Sequence, residues 1–311
     1  MQVAAGRATR TLGPLKRVAN YLDRHLGIVF LIPGMLILAV TLTYPILSNL
    51  WTSFTNKHLI YPGADWVGFE NYRVTFTDPN FYRALVNSGV WTVSSIVLQV
   101  VLGLAAALLL NAKVRGQAFF RLAMIVPYAF PTVTIALIWR WMLNSVYGVF
   151  NFMLMGVGII DKPIAWLSSM QYSMAVVVLV NVWFGYPLFA LGLLAGLQAI
   201  PAEHFEVARI EGASPLQTLR HVILPGIKTI LGILVVLRTI WVFNSFDLIY
   251  LLTGGGPRGA TETLPIYAYR IGWDYGFISQ TTAIAVLLFI VLAIFAAIYF
   301  RLSSADSESA V

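Results

Sequence analysis

Apolar residues gather along this chain in six long blocks, approximately 27–50, 85–110, 122–143, 172–199, 228–252 and 277–300, separated by shorter polar intervals. Each block meets the roughly 20 residues that a helix needs to cross a hydrocarbon core of about 30 Å. The pattern predicts an all-α integral membrane protein with six transmembrane helices in one domain, 27–300. Pro127 and Pro131 interrupt the third block. Proline is tolerated in a spanning helix where neighbouring protein or water satisfies the freed carbonyl, so this helix is expected beside packed protein or a wet cavity. The fourth block belongs to a charge-free run from Pro163 to Ala202, whose first residues are expected at the interface.

The polar intervals give the orientation. With the N-terminus placed inside, twelve of the 20 basic residues fall on inner segments, seven on outer ones, and Arg238 within a span. Inner segments are also shorter, as the positive-inside rule requires, so both termini are expected in the cytoplasm. The leader, 1–26, places Leu15, Val18, Leu22 and Leu26 at helical spacing among Lys16, Arg17, Arg24 and His25. It reads either as an amphipathic helix lying on the inner leaflet or as a plain basic leader. The first block is too long for a signal-peptide core and no small-residue cleavage site follows it, so it reads as an anchor. Residues 301–311 read as a small polar tail.

One interval is unlike the others. In the cytoplasmic insert 203–226, "EHFEVARIEGA" has good helix formers with Phe205, Ala208 and Ile210 among charges, and Gly212 provides the left-handed stop. Ser214 then offers a side-chain cap and Pro215 suits a first helical position. Leu216, Leu219, Val222 and Ile223 make one apolar stripe on a second short helix, which Leu224-Pro225 is expected to end.

These residues resemble the EAA loop of binding-protein-dependent ABC importer permeases. That pattern runs Glu-Ala-Ala, three residues, Gly, nine residues, Ile, one residue, Leu-Pro. Here it becomes Glu206-Val207-Ala208, Gly212, Val222 and Leu224-Pro225, with Val207 and Val222 as conservative departures. The resemblance implies a type I ABC importer permease with a cytoplasmic coupling helix that docks on an ATPase subunit, and it implicates Glu206, Ala208, Glu211, Gly212, Ala213, Ser214, Pro215, Leu224 and Pro225 in that contact. "VPYAFPT", "NVWFGYP", "FNSFD" and the segment Leu248–Trp273 resemble carbohydrate permeases of the maltose type. The Gly254–Gly256 run lacks the Gly-Lys-Ser/Thr of a nucleotide loop and reads as a flexible turn.

Ionisable residues inside a span are costly and usually face a polar cavity or a partner. Arg238 and Asp247 are the two clear cases, with Arg238 expected near the midplane and Asp247 at the outer helix end. At 100° per residue, Arg238, Trp241, Val242 and Ser245 share one face. That face is expected to line the pathway, an aromatic plane and hydrogen-bond donors being what sugar recognition needs. The alternative makes Arg238 an anchor bonded to a neighbouring helix and Trp241 ordinary packing. The family resemblance adds Asn181, Gly185 and Leu188, Gly185 allowing close approach.

Composition narrows the function classes. Charged residues are 11% of the chain against 59% hydrophobic, too little polar surface for a soluble domain of this length. The net charge of +7 follows membrane topology and does not imply nucleic acid. There is no cysteine, and the four histidines have no metal-ligand spacing, so neither a metal nor a catalytic site is expected. The chain therefore reads as a non-enzymatic transport subunit binding no cofactor itself. The resemblance implies its partners: a second homologous permease in a heterodimer, an ABC ATPase dimer that uses ATP and Mg, an extracytoplasmic sugar-binding protein and the lipid membrane. An importer of an anionic sugar or glycerol phosphate is the nearer alternative, Arg238 meeting the anion. An ion-coupled secondary transporter is the more distant one, since it would need intramembrane carboxylates and an internal repeat.

Overall fold

A computed structural model of the chain describes residues 26–112 and 116–308. The expected leader helix, Lys113, Arg115 and the last three residues of the tail lie outside the described residues. Among the described residues the fold is helical, with one isolated bridge between Thr55 and Trp66 and no sheet.

Helix α1 spans Leu26–Thr52, α2 Glu70–Thr77 and α3 Pro79–Asn111. The start of α3 is chemically defined: the Asp78 carboxylate accepts from the Asn80 N–H, and Pro79 occupies a position whose N–H is not needed. Next come α4, Gln117–Ala129, and α5, Thr132–Met142. The expected third span is this pair, bent by 97° at Phe130-Pro131. Proline removes a helical donor and clashes with the preceding turn, and the residue before it is pushed to extended backbone, as Phe130 is. Helix α6, Val149–Gly156, fills the interval before α7, Ser173–Ala199.

The insert begins with α8, Ala202–Ile210. Its second helix does not end at Leu224-Pro225 as expected. Helix α9, Pro215–Thr218, passes through a π turn at Leu219–Ile223 directly into α10, Leu224–Phe243. The widened turn shifts the hydrogen-bond register, and Pro225 falls in the first turn of the resumed α-helix, where its missing N–H costs least. The expected fifth span is shorter than its apolar block, because the chain breaks at Asn244–Phe246 and resumes as α11, Asp247–Thr253. Then follow α12, Leu264–Tyr269, a π turn at Arg270–Asp274, and α13, Ile278–Glu308, which carries helix into what the sequence presents as a tail.

The α3–α7 pair is the most extensive in the molecule, and α10 lies against both. Small residues permit this closeness: a Cβ at Gly103 of α3 would overlap Phe189 of α7. One buried cluster, including Leu110, Phe189, Leu193 and Ile227, sits at the end of the bundle that carries the insert. Another, including Trp91, Val177, Val242 and Ile249, lies towards the opposite end. Around this core, α1 is exposed from Phe30 to Trp51 and packs on α13. α3 likewise presents Val86, Val90, Val93, Val97 and Val101 outward. Such uncovered apolar faces suit a hydrocarbon solvent and not water.

Candidate translocation site and coupling surface

The insert's turn is built from local chemistry. Gly212 has φ of +72°, the left-handed conformation that costs a side-chain-bearing residue strain. The Ala213 N–H reaches back to the Ala208 carbonyl at 2.9 Å, closing the end of α8. Ser214 and Gln217 then form a capping box: the Ser214 N–H donates to Gln217 Oε1 at 2.7 Å, and the Gln217 N–H donates to Ser214 Oγ at 3.4 Å. Pro215 sits in the first turn. Ala208 is buried, whereas Glu206, Glu211, Leu224 and Pro225 are exposed and Ala213 is half-buried.

The apolar stripe is divided. Ile223 is buried and Leu219 and Val222 are partly covered, but Leu216 is 73% and Ile210 85% exposed. A cleft of about 750 Å³, lined by Leu108, Phe205, Arg209, Leu216, Leu219 and Ile223 among others, opens between the insert and α3. This end of the molecule thus offers rigidly capped backbone with exposed apolar side chains.

Inside the bundle, three helices meet at Arg238. Its side chain is only 5% exposed. Nε donates to Gln99 Oε1 of α3 at 2.9 Å, and Nη2 donates to Asn181 Oδ1 of α7 at 3.4 Å. Gln99 in turn donates from Nε2 to the Asn181 carbonyl at 2.9 Å. The Phe184 ring lies 5.6 Å from the guanidinium carbon, a cation–π distance, and Phe184 stacks on Tyr128 of α4 with centroids 5.5 Å apart. A Cβ at Gly185 would overlap both the Arg238 guanidinium and the Gln99 amide, so glycine is what lets the three side chains converge. Asn181 Nδ2 is buried and has no hydrogen-bond partner among the described residues.

The structure therefore brings Arg238, Asn181 and Gly185 together and adds Gln99, which sequence reasoning missed. A neutral amide in an apolar block was the available signal. It divides the expected common face of α10, because the guanidinium turns inward to its amide partners. Val242 is buried beside it, with its carbonyl accepting Trp91 Nε1–H at 2.8 Å. Trp241 instead projects outward at 54% exposure, and Ser245 lies past the end of the helix, half-buried. Leu188 is half-buried one turn beyond Phe184. Arg238 lies five residues before α10 ends at Phe243, beside the break. Asp247 is exposed at the start of α11, where a helix N-terminus favours a carboxylate.

At the end opposite the insert lies a second buried charge that sequence reasoning did not single out. Glu262 is 1% exposed. Its Oε1 lies 2.6 Å from Arg270 Nη1 and its Oε2 lies 3.6 Å from Arg83 Nη2. The expected flexible glycine turn is tied down around it. Asn87 Nδ2 donates to the Gly259 and Glu262 carbonyls at 2.9 and 3.0 Å, and the Leu264 N–H donates to Ser88 Oγ at 2.8 Å. These bonds satisfy two loop carbonyls and the first N–H of α12, none of which has a partner within a helix. Nearby, Tyr267 donates to Asp78 Oδ2 at 2.7 Å. Burial, with the Asp78 carboxylate beside it, pushes the Tyr267 phenol above its ordinary range.

Among the described residues no group of three His, Asp or Glu side chains is placed to hold a metal.

Comparison with known proteins places this geometry. Residues 99–305 match the family of the binding-protein-dependent transport system inner membrane component. The trehalose/maltose transport system permease protein MalF of Thermococcus litoralis is 34% identical over 285 residues, covering 91% of this chain and 95% of that one. The sulfoquinovosyl glycerol transport system permease protein SmoG of Agrobacterium fabrum is 32% identical over 281 residues, covering 90% and 91%. A crystal structure of a bacterial alginate ABC transporter, in complex with an alginate pentasaccharide-bound periplasmic protein, superposes with a TM-score of 0.79 at 20% identity, covering 92% of this chain and 97% of that one. The chain belongs to the binding-protein-dependent transport system inner membrane component family and is a multi-pass membrane permease with the type I ABC importer fold.

Proposed function

We propose that this chain is one of two permease subunits of an ABC importer for a carbohydrate, moving its substrate by alternating access driven by a partner ATPase dimer. The observation that carries the reading is the capped insert: two short helices held at a Gly212 turn, with Ile210 and Leu216 exposed. A free loop has no need of this geometry, whereas a lever gripped by another protein does. The insert lies in the cytoplasm, as do both termini, by the distribution of basic residues. Nucleotide binding closes the ATPase dimer and moves the insert, and with it α10, to which the π turn joins it without a flexible linker. Hydrolysis belongs to the partner, which uses ATP and Mg. A second permease and an extracytoplasmic sugar-binding protein complete the assembly.

Relatives named for trehalose/maltose and for sulfoquinovosyl glycerol support a carbohydrate and leave both neutral and anionic ligands within the class. Asn181, Gly185, Leu188, Arg238, Trp241, Val242 and Ser245 are the pathway residues in this reading, with the unpartnered Asn181 amide as the group awaiting a ligand oxygen. The geometry favours Arg238 as the anchor that positions Asn181 and Gln99, since its Nε and Nη2 already donate to them. A ligand shifts such a two-state equilibrium only by its differential affinity for the states, so rearrangement of this amide–guanidinium knot is the expected accompaniment of transport.

The test is mild-detergent purification from the native host, with mass spectrometry of what accompanies the chain, and sugar-stimulated ATPase assay of the product. Recovery of an ATPase and a second permease is expected. Recovery of this chain alone, even after crosslinking, returns the ion-coupled alternative. Gly212→Val, β-branched at a positive φ, is expected to leave assembly in place and abolish sugar stimulation of the ATPase. Stimulation at the wild-type level would remove the insert from coupling.

A further inference from the structure

At the end of the bundle opposite the insert, a cleft of about 600 Å³ opens beside Thr253 and Gly254. It is distinct from the Arg238 knot. Trp166 and Tyr250 both line it, together with Arg140, Ser145, Ser168 and Asp274. Ser145, Ser168 and Asp274 make no side-chain hydrogen bond or ion pair among the described residues. Arg140 spends one N–H on the Leu251 carbonyl at 3.2 Å and keeps its remaining donors.

Tyr250 also belongs to a ladder of rings. It stacks on Phe246 with centroids 4.8 Å apart and planes 19° from parallel. Tyr269 lies 5.2 Å from Tyr250 and 4.9 Å from Phe246, and Trp273 lies 6.3 Å from Tyr269. Phe246 directly follows Ser245 at the break ending α10, so the ladder joins the cleft to the pathway end of that helix.

We propose that this cleft is an entry subsite for one or two units of a neutral saccharide, received before the Arg238 region. The inference rests on the carbohydrate reading above. A sugar ring presents C–H bonds on its faces, which suit an aromatic plane, and hydroxyls on its rim, each both donor and acceptor. The cleft supplies both kinds of partner. Its two opposite charges cancel and so give no net preference for an anion or a cation, while a hydroxyl accepts from Arg140 and donates to Asp274. A lipid chain there would strip water from Arg140, Asp274 and two serines without replacing any hydrogen bond.

The chain has no cysteine, so Ser168→Cys places a single thiol in the cleft. In the purified complex with its partner subunits, labelling of this thiol by a small maleimide is followed by mass, with trehalose, maltose or maltotriose as probes. Wild-type uptake of the same sugars is measured in parallel. A transported sugar, supplied at about ten times its Kd, is expected to slow labelling about tenfold. Tyr250→Ala or Asp274→Asn in the same background should remove that protection, and Tyr250→Phe should keep it. If a sugar is transported but protects Ser168→Cys in no background, the subsite is overturned while the transport reading stands. Transport of no sugar at all overturns both.

Discussion

Among the described residues of this permease two charges are buried, and they are managed in opposite ways. Glu262 has two guanidiniums, those of Arg270 at 2.6 Å and Arg83 at 3.6 Å, within a network that also fixes the glycine loop to α3. Arg238 has no carboxylate partner among the described residues. Its positive charge is met by the oxygens of Gln99 and Asn181 and by the face of Phe184. A buried ion pair largely returns its desolvation cost through Coulombic attraction, and breaking it leaves an uncompensated charge. A guanidinium held by neutral amides keeps much of that cost. The Glu262 network therefore reads as a rivet. The Arg238 knot reads as a latch that three helices share and can release, because weaker partners are easier to exchange during a conformational change.

Glu262→Ala would break this comparison most severely. It leaves Arg270 and Arg83 without their carboxylate, and because both arginines are partly exposed roughly 2–3 kcal/mol of stability is expected to go. A thermal-shift assay of the purified complex should show a midpoint lower by several degrees. An unchanged midpoint would mean the loop is held by the Asn87 and Ser88 hydrogen bonds alone.

Gln99→Leu comes next. It removes the 2.9 Å acceptor of Arg238 Nε and leaves a charged donor buried, at a cost of about 2 kcal/mol. Adding Arg238→Met should restore most of that loss. A double variant no more stable than Gln99→Leu alone would show that Gln99 acts through packing rather than through the guanidinium.

The smallest expected change in stability sharpens the comparison most. Arg238→Met removes the desolvation cost of the charge but leaves the Gln99 and Asn181 amide oxygens without their donor, so the two effects offset and the fold should lose about 1 kcal/mol, while sugar uptake falls. Should the variant lose as much stability as Glu262→Ala, Arg238 would be a rivet too, and the latch would have to be sought elsewhere.

Much of this architecture is legible in the sequence. The six blocks stand out because a bilayer imposes length and apolarity on every span, and the insert stands out because Gly212, Ser214 and Pro215 are each demanded by a neighbouring backbone group. The third span's break follows from proline chemistry, but not its 97° angle. Continuity of α9 into α10 is not legible either, since Leu224-Pro225 carries a stop signal that the π turn overrides. Gln99 escaped notice because it is uncharged and lies 139 residues before Arg238. Glu262 escaped because it sits in a loop that looks loose until Arg83, Asn87 and Ser88 of α3 are laid beside it.

The sequence by itself determined that this chain lives in a membrane, roughly where its apolar blocks lie, and that a capped helical turn interrupts them at Gly212. Those properties depend on solvent and on neighbours within a few residues. Only the tertiary structure decided which buried charge has a counter-ion, which way Arg238 faces, and that Tyr250 completes both a ring ladder and a polar cleft. Each of these joins side chains from helices far apart in sequence, and which groups meet is set by close packing such as that at Gly103 and Gly185, which no local pattern encodes.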